Sequence, residues 1–459
     1  MKITPQTYQR FNRPDTLLLV SSFPLLGEEI AKRNAVARYS HLLLQHFPKT
    51  QKVVVFCEQV KGQNNQAYLL DKHILIIPTF SVNSLVLFTQ LNHALAQFSQ
   101  AKKILVQFEF SLFGKELITF LLPFLFLWQK FLGKKVYLML HQVVLDLSIL
   151  AGQVQLPAHS LKTKFFNLAL KVFYQLFAFS SKQVLVHDQF LAKQLSSLLP
   201  ANKITIIPHG INGYQSYSAK QKALIRKSFN LKTTDQVLLA YGYHSWYKGT
   251  DFLVKNFLRL KKEGKIGENC KLLLAGDVAP TQKNQMHLRQ YYADLSTLIK
   301  NHPQEIIHTG FVPEEKVAAI FAIADLLVFP YRACMSSSGA LALAMQYRKT
   351  FICSDFFLQN LLTPDLQKLS EKLEINFHEM SFKLSYAAFA QVLQSNLQAV
   401  ASGQQKISSF AREVAKKRDW SLVAEQYLQT INSPVSLAFA SQPARSVVFS
   451  QPLYLEAST

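Results

Sequence analysis

Four cysteines in 459 residues (Cys57, Cys270, Cys334 and Cys353) stand far apart, with no Cys-x-x-Cys pair and no histidine cluster at metal spacing. That argues against a disulfide framework and a structural zinc site, and fits a reducing cytoplasm. Long apolar runs are scarce as well. The longest, Leu117–Trp128 (LITFLLPFLFLW), has 12 residues with Pro123 inside it, well short of the ~20 that a spanning helix needs. It suits a buried helix or one lying in a membrane interface. The opening stretch MKITPQTYQRFNRPDT lacks the apolar core of a secretory signal. No Gly-x-x-x-x-Gly-Lys-Ser/Thr and no Gly-x-Gly-x-x-Gly occurs, which argues against P-loop hydrolysis and simple dinucleotide binding. A Gly-x-Ser-x-Gly elbow is missing, and so is an Asp-x-Asp pair to hold a metal–diphosphate. Acidic residues are few: 28 Asp+Glu against 50 Lys+Arg leave a net charge of +22. An anionic partner follows, whether phosphorylated substrate, acidic lipid headgroups or nucleic acid. The nucleic-acid reading rests on charge alone, since RRM, KH and helix-turn-helix signatures are missing.

What is present is mostly core. Hydrophobic residues make up 49% and charged residues 17% of the chain, a well-buried globular composition. At this length two domains of about 200 residues are expected. Short apolar runs read as buried strands at Thr16–Ser21, Lys52–Phe56, Ile74–Pro78, Lys103–Phe108, Val136–Leu140, Val184–Val186 and Lys203–Ile207. Helical runs alternate with them at Asn34–His46, Leu85–Phe98, Lys115–Phe131, Lys162–Phe179 and Gln189–Leu198. A polar, Gly-containing stretch from Pro208 through Lys222 reads as the interdomain linker. The alternation then restarts, with strands at Val237–Ala240, Leu272–Ala275, Ile306–His308, Leu326–Phe329 and Phe351–Cys353. Helices Phe252–Glu263, Met286–Lys300, Glu314–Phe321 and Ala340–Tyr347 lie between or after them. The pattern predicts an α/β protein of two doubly wound, Rossmann-like domains in series. Expected boundaries are 1–212, 213–416, a last helix within 417–432, and a Ser/Pro/Ala-rich tail, 433–459, that is poorly ordered.

Candidate chemistry sits in the loops after the strands, where open α/β sheets bind ligands. Leu326–Phe329 runs into a Pro-Tyr-Arg corner (Tyr331, Arg332), then Ser336–Gly339, then a helix of very small residues. Unpaired N–H groups and the helix dipole at such a start make a cradle for phosphate, and serine hydroxyls and an arginine add donors. The plainer reading is an ordinary serine-capped helix. Lys248, in Tyr-Lys-Gly before the next helix, can meet a diphosphate as a point charge, or be a solvated surface lysine. His141 ends a buried strand beside the cleft, as a catalytic group or a hydrogen-bonded core histidine. Glu109 follows a strand in a phenylalanine-rich setting that raises a carboxyl pKa, unless it caps a helix or pairs with a lysine.

Read together and in order, these segments resemble a retaining GT-B glycosyltransferase of the group-1, or GT4-type, family. The similar segments are SSFPLLGEE with the helix after it, QFEFSLFGKE, MLHQVVLDL, VLVHDQFLAKQL, ITIIPHGI, YGYHSWYKGTDFL, LLLAGD, HTGFVPEEKVAAIFAIADLLVFPYR and SSSGALALAM, together spanning about residues 15–432. The resemblance implies sugar transfer from a nucleotide-diphosphate sugar to a glycan or lipid-linked acceptor held by the N-terminal domain, with retained configuration. It implies no metal and no cofactor beyond the donor. It places His141 and Lys248 at the reacting centre, where Glu109 is expected as well from its own setting. Donor binding is expected at Gly27, Gly242, Lys248, Gly276, Tyr331, Arg332, Ser337, Ser338, Gly339 and Ala340, of which the resemblance itself implies Gly27, Lys248 and the backbone around Ser337–Ala340. Three departures are visible. Met335 and Leu343 fall near the positions where the family carries paired glutamates, no basic residue stands between Gly242 and Lys248, and Glu28 and Glu29 follow Gly27. These departures motivate an alternative, a non-catalytic GT-B protein that binds a sugar nucleotide or a partner enzyme. Ala101–Lys182 carries ten lysines against three acidic residues, beside its apolar helices. That predicts peripheral contact with an anionic membrane at the cytoplasmic face, with no nucleic-acid partner.

Overall fold

The computed structural model describes residues 3–29, 33–154, 156–279, 282–283, 285–401 and 406–433. Residues 434–459, nearly all of the tail expected to be poorly ordered, lie outside them. Among the described residues fourteen strands build two sheets. The first comprises β1 (Leu17–Val20), β2 (Val53–Gln59), β3 (Tyr68–Asp71), β4 (Ile74–Ser81), β5 (Lys103–Phe108), β6 (Lys135–Leu140), β7 (Gln183–Val186) and β8 (Ile204–Ile206). Its order is β3-β4-β2-β1-β5-β6-β7-β8, parallel except for the antiparallel β3–β4 pair. The second comprises β9 (Gln236–Tyr241), β10 (Cys270–Ala275), β11 (Ile306–Gly310), β12 (Leu326–Phe329), β13 (Thr350–Ser354) and β14 (Ser381–Phe382), in the order β11-β10-β9-β12-β13-β14 and parallel throughout.

The apolar runs follow from burial on both faces. Side chains alternate across a strand, so Leu18 and Val20 enter one core with Val54 and Ile104. Leu17 and Leu19 enter the opposite core with Val53 and Tyr39. The second sheet repeats this, with Leu239 and Phe329 on one side and Leu238 and Val328 on the other. The closing helix Trp420–Asn432 lies on the first sheet, where Val423, Tyr427 and Ile431 are buried with Leu17 and Tyr137. The Tyr137 hydroxyl donates to Ile431 O at 2.9 Å. Both crossings between the halves run side by side: Ile211 N donates to Arg418 O at 2.7 Å. Trp420 rests on Gly210, where a Cβ would come within 2.2 Å of the indole.

Two expectations are corrected. The stretch read as linker already contains the start of a helix, Ala219–Ser228. Ser218 Oγ accepts from Gln221 N while the Gln221 side chain accepts from Ser218 N, a capping box. The strand count also rises, because β3 is a short, partly exposed edge strand and β14 has two residues. Helices Pro364–Lys372, Tyr386–Ala401 and Lys406–Lys417 are further additions. Among the described residues no helix is long and apolar enough to cross a membrane.

Candidate functional site

The carboxyl ends of the two sheets face one cleft of about 280 Å³. The second half lines it with Gly242, Lys248, Gly276, Gly339, Ala340 and Leu343, and the first half with Arg33, Arg38, Tyr39 and His209. Lys248 ends a single 3-10 turn, Trp246–Lys248, and Gly249 follows at φ 69°. A Cβ on Gly249 would lie 2.0 Å from Pro330 O, so only glycine lets the turn pack against β12. Arg332 fixes the same turn. Its guanidinium takes both Asp251 carboxylate oxygens at 2.8 Å and donates to Trp246 O at 2.7 Å. Burial works against the Asp251 carboxylate, but Arg332 holds its pKa below the ordinary range. Lys248 itself has no carboxylate within ion-pair distance among the described residues. Its Nζ lies 5.8 Å from the Tyr331 ring centroid, and burial lowers its pKa to about 8. Gly242 gives it room: a Cβ there would lie 2.8 Å from Nζ.

Opposite Lys248 begins the helix Gly339–Gln346. Ser338 caps it, its Oγ accepting from Leu341 N at 3.2 Å. The early N–H groups open on the cleft at Gly339 and Ala340. Gly276 approaches Gly242 so closely that a Cβ would meet Gly242 O at 2.0 Å. That contact keeps the floor of the cleft free of side chains.

Three histidines cluster on the facing half. His141 Nε2 lies 2.7 Å from Gln107 Oε1 and its Nδ1 lies 3.1 Å from His187 Nε2. His187 Nδ1 lies 3.1 Å from Ile207 O. A carbonyl only accepts, so His187 carries its proton on Nδ1 and accepts at Nε2 from His141. His141 Nε2 is then a lone pair, which requires the Gln107 amide turned with its nitrogen inward. That orientation also pairs Gln107 Nε2, otherwise a buried donor without a partner. Burial, reinforced by His209, drives the His141 pKa down to about 3, so the imidazole is neutral. Glu109 accepts from Ser111 Oγ at 3.0 Å, and burial raises its pKa with Ser111 partly opposing. At the cleft edge Arg38 pairs with Glu314 of the second half.

Residues 235–369 match the family model described as glycosyl transferases group 1. Over 164 residues the chain is 26% identical to lipopolysaccharide 1,2-N-acetylglucosaminetransferase of Salmonella typhimurium, covering 35% of this chain and 42% of that protein. Over 176 residues it is 25% identical to alpha-galactosylglucosyldiacylglycerol synthase of Streptococcus pneumoniae, covering 37% and 44%. The chain thus spans less than half the length of these curated relatives. The solved structure of Anabaena HepE in complex with UDP and glucose is similar over 92% of this chain and 100% of that one, at 15% identity and a TM-score of 0.60. Further solved structures with the same two-domain architecture cover nine-tenths or more of this chain. The fold is GT-B.

In this GT-B chain the cleft gathers Gly242, Lys248, Gly276, Gly339 and Ala340 from the residues singled out in the sequence. Tyr331 lies beneath Lys248 and contacts Ser338, with its phenol pKa raised by burial. Ser338 caps the helix and Ser337 precedes it. Arg332 is brought elsewhere: Asp251 and Trp246 engage its guanidinium, so it positions the lysine turn. Gly27 is exposed at φ 82° and outside the cleft lining. His141 and Glu109 are also outside that lining. Leu343, near one of the positions where the resemblance implies a glutamate, does line the cleft. His209, Arg38 and Glu314 were missed, although each sits in a segment that carries the resemblance. Among the described residues no group of three or more His, Cys, Asp or Glu could hold a metal ion.

Proposed function

We propose that the chain is a glycosyltransferase moving a sugar from a nucleotide-diphosphate sugar to a glycan or lipid-linked acceptor. The observation that carries this is the pairing of a half-buried Lys248, which has no carboxylate partner among the described residues, with the open N-terminus of the helix Gly339–Gln346 across a glycine-floored cleft. Charge developing on a departing diphosphate would meet the Lys248 ammonium on one side and backbone N–H groups with the helix dipole on the other. Such fixed positive groups do the work a metal does elsewhere, so we read the transfer as metal-independent, and the resemblance adds retention of configuration. The relatives support the donor and acceptor classes by their names: a lipopolysaccharide N-acetylglucosaminetransferase, a glycosyldiacylglycerol synthase, and a protein solved with UDP and glucose.

A donor screen with UDP-, GDP- and ADP-sugars, reading release of nucleoside diphosphate, tests the proposal. One donor should be turned over, and Lys248→Ala should lower the rate at least 100-fold. Binding without turnover would favour the second reading, a non-catalytic sugar-nucleotide binder, which Leu343 in the cleft motivates. Neither binding nor turnover overturns both.

The acceptor class is supported by the surface of the first half. Helices Glu116–Phe131 and Leu161–Ser180 pack side by side, with Phe120 and Phe173 rings 5.1 Å apart. Their outer faces leave Leu117, Phe131, Leu161 and Phe165 exposed at 66%, 75%, 84% and 67%. Exposed Lys115, Lys130, Lys162, Lys164 and Lys171 lie on or next to the same two helices. An apolar ridge fringed by lysine suits peripheral docking on an anionic bilayer, where a lipid-linked acceptor would be presented.

A further inference from the structure

We propose that His209 recognises the donor sugar, its Nε2 accepting a hydrogen bond from a sugar hydroxyl beside the diphosphate held at Gly339 and Ala340. This rests on the glycosyltransferase reading of the cleft and adds to it a residue on the opposing half.

The ring's chemistry is set by its neighbours. His209 Nδ1 lies 2.8 Å from Gly210 O, which only accepts, so Nδ1 carries the proton. Burial lowers the His209 pKa to about 4; the Gly210 bond opposes this, and Arg38 and Arg418 add to it. At neutral pH Nε2 is therefore a lone pair and nothing else. Tyr39 meets the ring edge-on with centroids 5.2 Å apart, and Trp420 and His187 lie at 5.7 Å. These contacts leave the imidazole one orientation, which points Nε2 into the cleft. A Cβ built on Gly339 would be 3.9 Å from it.

Among the described residues Nε2 of His209 makes no hydrogen bond, whereas His141 and His187 use both ring nitrogens internally. Of the three clustered imidazoles, His209 is thus the one that offers an atom to a ligand. An acceptor-only nitrogen has no attraction for a phosphate oxygen, which also only accepts. It does pair with a hydroxyl. Two groups next to the diphosphate carry hydroxyl donors, the nucleoside ribose and the transferred sugar. We assign the sugar, because a ribose contact would be present in the bare nucleotide as well and would weaken both ligands alike on substitution. His209 should therefore distinguish a nucleotide sugar from the bare nucleotide.

Calorimetric titration of UDP-glucose and of UDP against the full chain tests this, with His209→Phe, His209→Gln and Lys248→Ala. Phenylalanine keeps the ring packing and removes the acceptor. It should weaken UDP-glucose roughly tenfold and leave UDP within about twofold. Glutamine, which restores an acceptor oxygen, should recover part of the loss. Equal weakening of both ligands by His209→Phe, or no weakening of either, overturns the assignment. Lys248→Ala should weaken both ligands. If it weakens neither, or wild type binds neither these nor the corresponding GDP and ADP ligands, the donor-cleft reading fails, and this inference with it. Thermal melting of each variant separates a folding defect from a binding one.

Discussion

Lys248 is a cation without a carboxylate counter-charge among the described residues, at a position where burial disfavours its charge. With its pKa lowered to about 8, it is mostly protonated at neutral pH and loses its proton as pH rises through 8. Nucleotide affinity should therefore fall above pH 8, by up to tenfold per unit. Lys248→Ala should be weaker throughout and flat across that range, as read by UDP titration from pH 6.5 to 9.5. A wild-type profile as flat as the variant's would separate Lys248 from the ligand. Arg332 acts one step away. Asp251 holds it and it holds the turn, so Asp251→Asn and Arg332→Ala should each weaken nucleotide binding several-fold, with the double variant little worse than either. Fully additive losses in that cycle would mean the pair does not act as a unit. The pairing was illegible in the sequence because the partners stand 81 residues apart, and an arginine beside a serine-rich loop reads as a phosphate ligand until its fork is seen to be occupied. His209 was passed over for the opposite reason: Pro-His-Gly reads as a turn between domains, and only the fold reveals that the turn opens on the cleft.

At the scale of elements, the alternation of apolar strands with helices was legible because each strand of a doubly wound sheet is buried on both faces. Leu17–Val20 and Leu326–Phe329 carry that signal in four residues each. Edge strands give no such run: Tyr68–Asp71 is half-exposed and so went unread. The helix Ala219–Ser228 has no fully buried residue, and its capping box was the only cue against a linker. The helices Glu116–Phe131 and Leu161–Ser180 are a different case, since both are more apolar than their burial requires. Replacing Phe131 and Phe165 together by Ser removes two large exposed rings and no core contact. It should lower partition onto vesicles containing phosphatidylglycerol about tenfold or more, with the melting temperature nearly unchanged. Wild-type binding to neutral and anionic vesicles alike would remove the electrostatic part of the claim.

At the scale of the whole molecule the two halves meet at discrete contacts. Val143 N donates to Met335 O at 2.9 Å, Arg38 pairs with Glu314, and Trp246 covers Gly152, where a Cβ would fall 2.3 Å from the indole. Gly152→Ala should pry this seam apart, slow donor turnover and enlarge the radius of gyration in solution scattering. An unchanged radius with unchanged turnover would show that the seam does not govern closure. The buried histidines tie stability to pH. Their folded pKa values lie below 6.5, at about 3 for His141 and about 4 for His209, so below pH 6.5 the unfolded chain binds more protons. Each such histidine costs up to about 1.4 kcal/mol of stability per pH unit as pH falls toward its folded value. Asp188, pushed up to about 6 by burial, opposes this over part of the same window. His187→Ser should therefore flatten the loss of urea midpoint between pH 7 and 5 relative to wild type, and an identical slope would contradict the cluster's role. The central claim is that the glycine-floored cleft between the two GT-B halves holds a donor diphosphate. A crystal structure of the chain with UDP tests it most directly. The diphosphate should lie about 3 Å from Lys248 Nζ and from the backbone nitrogens at Gly339 and Ala340, and UDP bound elsewhere, or its phosphates turned away from Lys248, would contradict the account.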